Sequence, residues 1–424
     1  RRPALKRRSL LLGGIGAAAV ASALVWRPTD KGAPHNAYFA DLNRMLKQEG
    51  PGKPVMLIDK ARLDHNIDLI ATSVGENKTY RVVVKSLPSI ELVSYIMARA
   101  NTRALMLFHQ PFINLVASRL PDADVLVGKP MPVQAARTFY RKLDAAGGFN
   151  PELQLQWLID SPGRLLQYQA LARELNVKMR VNFELDVGLH RGGFESTQDF
   201  RSCLEVINND QEHLSFAGFM GYEPHLTGTE AVLEDESVQG VLAVYKSFLA
   251  VASEGGVDVS SLTLNGAGSH TLGIYEKDDT MNDLSAGSGV VMPTDFDTWH
   301  LRENKPALFI ATPILKQYDS MKLPVMQELA DIWSSWDPNR QKLYYIYGGY
   351  WKAKFVSPPG VPDPLFNSTN QAPVSTSNAV DLGVDDYMFL RPTQSEHVML
   401  QFGDLLIINE GHISDQWPVF QETG

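Results

Sequence analysis

Between residues 54 and 290, apolar runs of strand length recur again and again, and the gaps between them carry helical patterns. The runs are VMLID (55–59), RVVVK (81–85), ALMLF (104–108), DVLVG (124–128), LQLQWLI (153–159), KMRVNFELD (178–186), FAGFM (216–220) and LTLNG (262–266). Stretches such as SIELVSYIMARA (89–100) and SPGRLLQYQALARELN (161–176) space their apolar residues three and four apart, as one face of a helix does. A parallel strand has to be reached by a crossover, usually helical. Eight strands alternating with helices therefore predict an α/β fold of the (β/α)8 TIM-barrel type. With 424 residues, the chain is long enough for a barrel of about 250 residues and a second domain.

The texture changes after about residue 295. KPALFIATPIL (305–315), KLYYIYGG (342–349), YMFLRP (387–392) and DLLIINEG (404–411) read as strands with no regular helices between them, and 357–378 is a loop rich in Pro, Ser and Asn. Three regions are expected: an export signal and linker (1–35), the barrel (36–295), and a smaller C-terminal, mostly β domain (296–424).

The first of these is different in kind. KRRSLLLGGIGAAAVASALVW (6–26) sets Arg7 and Arg8 before an apolar run rich in Gly and Ala, with Ala21-Ser22-Ala23 as a cleavage site. It reads as an export signal of the twin-arginine kind, which predicts a periplasmic product with no stable membrane partner after cleavage. The alternative is an uncleaved anchor in the inner membrane, since Ser9 to Trp26 is barely long enough to span a bilayer. The remainder is ordinary globular sequence, 44% hydrophobic and 21% charged. A net charge of −9 and the lack of a basic patch interleaved with aromatics argue against nucleic acid and leave small molecules as partners. The single cysteine, Cys203, excludes an internal disulfide and a thiolate-rich zinc site.

Chemistry concentrates at the ends of the strand runs. In YRVVVKSLPS (80–89) a β-branched run ends in one amine, Lys85, and a barrel enzyme presents a Schiff-base lysine in this way at its C-terminal rim. FELDVGLHRGGF (183–194), GFMGYEPH (218–225), LNGAGSHT (264–271) and NDLSAGSG (282–289) follow in that order. Glycines after a strand let backbone N–H groups approach a phosphate, and hydroxyls add donors, which singles out Gly268, Ser269 and Thr271 in the junction after the last expected strand.

Taken together, these segments resemble the N-terminal barrel of the alanine racemase-like, fold type III pyridoxal phosphate (PLP) enzymes. TQSEHVMLQFGDLLIINEGHISDQW (393–417) resembles the C-terminal run of their D-threonine aldolase and D-serine dehydratase branch. The resemblance implies that Lys85 carries the cofactor, that Arg191 donates to its phenolic oxygen, that Tyr222 lies beside it, and that Gly268, Ser269 and Thr271 hold its phosphate. His397 resembles another histidine of the branch. The branch also holds a divalent ion on a His and a Cys or Asp two residues later. Here His412 is followed at that spacing by Ser414, with Asp415 one residue beyond, so His412 and Asp415 are the candidate ligands for Mn²⁺, Mg²⁺ or Zn²⁺. Two further departures are Arg81-Val82-Val83-Val84-Lys85-Ser86-Leu87, where the family has a histidine on each side of the lysine, and 282–288, which resembles a Thr-Glu-x-x-Pro-Gly segment only loosely. The implied protein is a homodimeric PLP-dependent lyase acting on a D-β-hydroxy amino acid. An amino-acid racemase and a non-catalytic PLP-binding protein remain as alternatives.

Overall fold

The computed structural model describes residues 27–226, 230–323 and 325–421. The arginine pair, the apolar run after it and the Ala21-Ser22-Ala23 site lie outside these. Among the described residues no helix is long and apolar enough to cross a membrane.

The chain forms two compact units, each made from two segments: residues up to 54 with Ile310–Leu390, and Val55–Phe309 with Arg391–Gly424. A single cut near residue 295 does not describe this division. The N-terminal helix Ala37–Glu49, expected within the barrel region, belongs to the first unit.

The second unit holds a closed parallel barrel, but its eight strands are not the eight expected. Strand β1 (Val55–Asp59) stands outside the barrel. It runs parallel to β15 (Asp404–Asn409), with Met56 opposite Leu405 and Asp59 opposite Ile408, and β16 (His412–Pro418) pairs antiparallel with β15. The barrel is formed by β2 (Thr79–Val83), β3 (Ala104–Leu107), β4 (Asp124–Val127), β5 (Leu155–Ile159), β6 (Met179–Glu184), β7 (Leu214–Met220), β8 (Thr263–Gly266) and β9 (Asp283–Ala286). β9 closes it by pairing with β2, Thr79 opposite Asp283 and Val82 opposite Ala286.

β9 reads Asp-Leu-Ser-Ala and carries little strand signal because its polar residues are used inside the barrel. The buried Arg81 guanidinium donates to both carboxylate oxygens of Asp283 (2.8 and 2.7 Å) and to Asp124 Oδ2 (2.6 Å). Asn265 Nδ2 donates to Asp283 Oδ1 (2.6 Å) and Ser285 Oγ (2.8 Å). Further round, Asn182 donates to Gln156 and Gln156 to Thr263. Nearer the mouth the filling is apolar, with Met106, Leu126, Leu158 and Met220 packed together. On the outer wall, Phe183, Phe200, Phe216, Phe219 and Phe248 meet edge-on or tilted where helices Thr197–Asn208 and Glu236–Glu254 cover β6 and β7. Helix starts follow local chemistry: Asp59, Ser89 and Ser161 each cap by accepting a backbone N–H three residues on, and Pro162 follows Ser161 at the first helical position.

The first unit is mostly β. β10 (Leu308–Tyr318) pairs antiparallel with β11 (Lys342–Tyr347) and β14 (Tyr387–Pro392), β11 with β13 (Gln371–Thr376), and β12 (Ala353–Ser357) with β14. Its core gathers Ile314, Tyr344, Ile346, Val374 and Met388. Helix Ala37–Glu49 is tied to it by Asn43, which donates to Asp386 and accepts from Tyr387 N–H.

Candidate active site

A pocket opens at the C-terminal ends of the barrel strands, where loops of one fold converge for chemistry. β2 passes into a single 3₁₀ turn, Val84–Ser86, which lifts Lys85 out of the strand and into this pocket. Its Nζ lies 2.8 Å from Glu396 Oε1 and 4.9 Å from the centre of the Phe108 ring. Ser86 Oγ donates to the same Glu396 oxygen at 3.2 Å. Glu396 opens the short helix Glu396–Met399 that follows β14. The residue before it, Ser395, is buried with its Oγ 3.1 Å from Ser288 Oγ, which fastens this segment to the loop after β9.

Arg191 reaches the pocket from a loop built by Asp186. The Asp186 carboxylate accepts from the N–H groups of Gly188 (2.9 Å) and His190 (3.0 Å) and pairs with the His190 ring (2.9 Å). Burial pushes this carboxyl up, but those donors outweigh it and hold it below its ordinary range. Gly193, at φ +106°, passes so close to Asp186 N that a Cβ would stand 2.8 Å from it. The Arg191 guanidinium then lies 5.4 Å from the Tyr222 ring centre, a cation–π contact inside the pocket. Burial, with the Glu223 carboxylate next, raises the Tyr222 phenol above its usual value, and Arg191 opposes them.

The opposite wall is the turn after β8. Gly268 lies against Tyr222, where a Cβ would come within 2.9 Å of Tyr222 Cε2. Ser269 Oγ accepts from the N–H groups of Gly287 (3.0 Å) and Gly289 (3.1 Å), which binds the β8 and β9 loops together. The N–H groups of Ser269, His270 and Ser288 have no hydrogen-bond partner among the described residues, and all three residues border the pocket. His270 stacks on Phe296 (4.2 Å, 16°), and burial lowers its pKa.

Thr271 stands behind this turn, buried. Its hydroxyl accepts from Gly268 N–H (3.0 Å) and donates to Glu223 Oε1 (2.6 Å), so it shapes the turn rather than bordering the pocket. Glu223 is fully buried, and desolvation raises its carboxyl to about 7 despite donors from Thr271 and the Ala267 N–H. Among the described residues its Oε2 has no hydrogen-bond partner, and neither has the buried Tyr275 hydroxyl.

Lys85, Arg191, Tyr222, Gly268 and Ser269 thus share one pocket, with Thr271 supporting it. The turn after β8 is not the last junction of the barrel, since β9 follows it. Segment 282–288 supplies that strand and, at Gly287 and Ser288, part of the pocket wall. Glu396 and Glu223 were not anticipated. Both stand beside residues that were: in Ser-Glu-His the sequence drew attention to His397, which is exposed, while the glutamate before it faces Lys85.

His412 and Asp415 do not border the pocket. Both are exposed on β16, and Asp415 accepts from the Trp417 indole N–H (2.9 Å) and Gln416 N–H (2.8 Å). Ser414 donates to Ile407 O. Among the described residues no group of three or more His, Cys, Asp or Glu side chains is gathered as a metal site would need. The donor set does not fit a divalent ion, and no step is derived through one.

No curated protein matches the chain. Solved structures with the same fold include a D-threonine aldolase from Filomicrobium marinum (13% identity, TM-score 0.64, 87% of this chain and 96% of that one). D-threo-3-hydroxyaspartate dehydratase from Delftia sp. HT23 is similar at 13% identity and TM-score 0.66, over 89% of this chain and all of that one. An alanine racemase from Bacillus anthracis with bound L-Ala-P matches at 13% and 0.65, over 86% and 97%. At such identities the likeness is one of fold. The family described as alanine racemase, N-terminal domain, matches residues 58–292, more than half of the sequence and all of the barrel, and the chain belongs to that family.

Proposed function

We propose that the protein is a PLP-dependent lyase of D-β-hydroxy amino acids, with the cofactor in the barrel-mouth pocket. The residues present fit that group. Lys85 offers the amine for a covalent tether, Arg191 a charged donor toward the ring, and the N–H groups of Ser269, His270 and Ser288 a cradle for a phosphate. When bound, PLP supplies an electron sink for charge developing at the substrate Cα.

The observation that carries the lyase reading is the Lys85–Glu396 contact at 2.8 Å. An amine and a carboxylate side by side provide two acid–base groups at one face of the pocket. Lys85 takes or returns a proton at Cα. Glu396 serves the β-hydroxyl: as base it takes the hydroxyl proton when Cα–Cβ breaks, and as acid it protonates the oxygen when Cβ–O breaks. Arg191 over Tyr222 holds the ring side of the site, and Tyr222 fills the space that Gly268 leaves.

The protein loaded with PLP should be incubated with D-threonine, D-serine and D-threo-3-hydroxyaspartate and the products separated. Glycine with an aldehyde identifies aldol cleavage, a 2-oxo acid with ammonia identifies dehydration, and either supports the reading. The L-enantiomer as sole product points to a racemase and removes it. No turnover, with the cofactor retained on Lys85 after borohydride reduction and peptide mapping, identifies a binding protein.

A further inference from the structure

Helix Gln327–Trp336 belongs to the unit that contains β10 to β14. Ala330 is buried where the helix rests on that unit. With Val325 and Met326 just before it, Leu329, Ile332, Trp333 and Trp336 follow at three- and four-residue spacing and form one apolar stripe. A stripe of this kind normally faces a core. Here it faces outward: Val325 is 103% exposed, Ile332 65%, Leu329 54%, Met326 52%, and the two tryptophans 37% each. Glu328, Asp331 and Ser335 are exposed along the flank of the stripe, and Gln327 is half-buried toward Ala330.

Two further observations bear on what covers the stripe. The Arg27 guanidinium donates to Trp336 O (3.0 Å) and Ser335 O (3.4 Å), so the chain reaches the folded unit at the C-terminal end of this helix. The residues before Arg27 are the apolar run Ser9–Trp26, close to the length that a helix needs to cross the hydrocarbon of a bilayer. The Arg340 guanidinium also lies over Trp333, 4.2 Å from the ring centre. Arg340 is mostly buried and paired with Asp337 (3.4 Å), so it steadies Trp333; the two indoles stand at the end of the stripe where the chain enters from Arg27, and tryptophans suit the boundary between headgroups and acyl chains.

We propose that the Val325–Trp336 face rests on a lipid bilayer, beside the point where the apolar N-terminal run joins the folded body. This departs from the expectation of no stable membrane partner, and it stands independently of the cofactor reading. Glu328 and Asp331 are exposed beside the stripe and Asp337 is paired with Arg340, so the surface it suits is zwitterionic rather than anionic.

The apolar run could bring the chain to vesicles by itself, so co-sedimentation does not test the proposal. A site-specific probe does. Cys203 is buried and is the chain's one cysteine, so full-length Cys203→Ser protein with Ile332→Cys or Asp331→Cys takes a single environment-sensitive fluorophore. On addition of phosphatidylcholine vesicles, the probe at 332 should shift to the blue and the probe at 331 should shift much less. Leu329→Gln in the 332-labelled protein should reduce the shift. An unchanged probe at 332 overturns the proposal. A blue-shifted probe without vesicles also overturns it: if the shift grows with protein concentration the occupant is a second copy, and if it persists on dilution the occupant is the chain's own N-terminal run.

Discussion

Lys85 Nζ stands 2.8 Å from Glu396 Oε1, and Ser86 Oγ donates to the same carboxylate oxygen from the other side. One acidic oxygen is therefore shared by the Lys85 amine and the neighbouring Ser86 hydroxyl, in a pocket that Phe108, Arg191 and Tyr222 also line.

Glu396→Gln keeps the shape of this contact and removes its charge. The expected result is a fall in kcat of about a hundredfold to ten-thousandfold, the usual worth of a positioned acid–base group, with the visible absorption of the bound cofactor retained. An unchanged kcat would assign Glu396 to holding Lys85 in place. Lys85→Ala should abolish the borohydride-reducible attachment altogether.

Gly268→Ala drives a methyl to 2.9 Å from Tyr222 Cε2, so either the ring or the turn must move. Overpacking of this kind costs about 1–3 kcal/mol, and the turn at stake carries the N–H groups of Ser269 and His270. PLP affinity, read by fluorescence titration, should fall roughly tenfold or more. Gly163→Ala, where an added Cβ meets nothing within 4 Å, is the control and should leave affinity unchanged.

Glu223 links stability to pH. Burial raises its folded-state pKa from 4.5 to about 7, so the folded protein holds this proton more tightly than the unfolded chain does. The contribution is fully present below pH 4.5 and is lost as pH rises to about 7, a difference of order 3 kcal/mol. Urea unfolding across that window should show Glu223→Gln with a flatter profile than the parent protein. Identical slopes would mean that the carboxyl does not titrate there.

Arg81 tests the barrel interior. It is buried between Asp283 and Asp124, and Arg81→Met removes one partner from a buried charge cluster. The expected loss of stability is about 3–5 kcal/mol, because Asp283 is left without its compensating charge. Asp283→Asn in the same background should recover part of it, and the double-mutant cycle in urea measures how much. A loss below about 1 kcal/mol would mean that water replaces the guanidinium.

Much of the site was legible in the chain. Lys85, Arg191, Tyr222, Gly268 and Ser269 sit at or just after strand ends, and a parallel barrel brings such ends to one rim whatever the lengths of its helices. What misled was parity and polarity. β1 is buried on both faces and reads like any barrel strand, while β9 looks unlike a strand because Asp283 and Ser285 satisfy Arg81 and Asn265 inside. Thr271 sits in a glycine turn as a phosphate donor would, and only the tertiary structure shows its hydroxyl donating to the buried Glu223 behind that turn.

Local periodicity and turn chemistry were enough to determine that this chain alternates strand and helix, which residue ends β2 in an amine, and where glycines admit close backbone approach. Those properties depend on neighbours a few positions away. The tertiary structure decided which strands close the ring, that β1 pairs with β15 instead, and that Glu396 arrives beside Lys85 from the far end of the sequence, since Ser86 and Glu396 are 310 positions apart. Strand pairing and the meeting of distant side chains depend on burial shared between segments, and no short window of sequence contains that information.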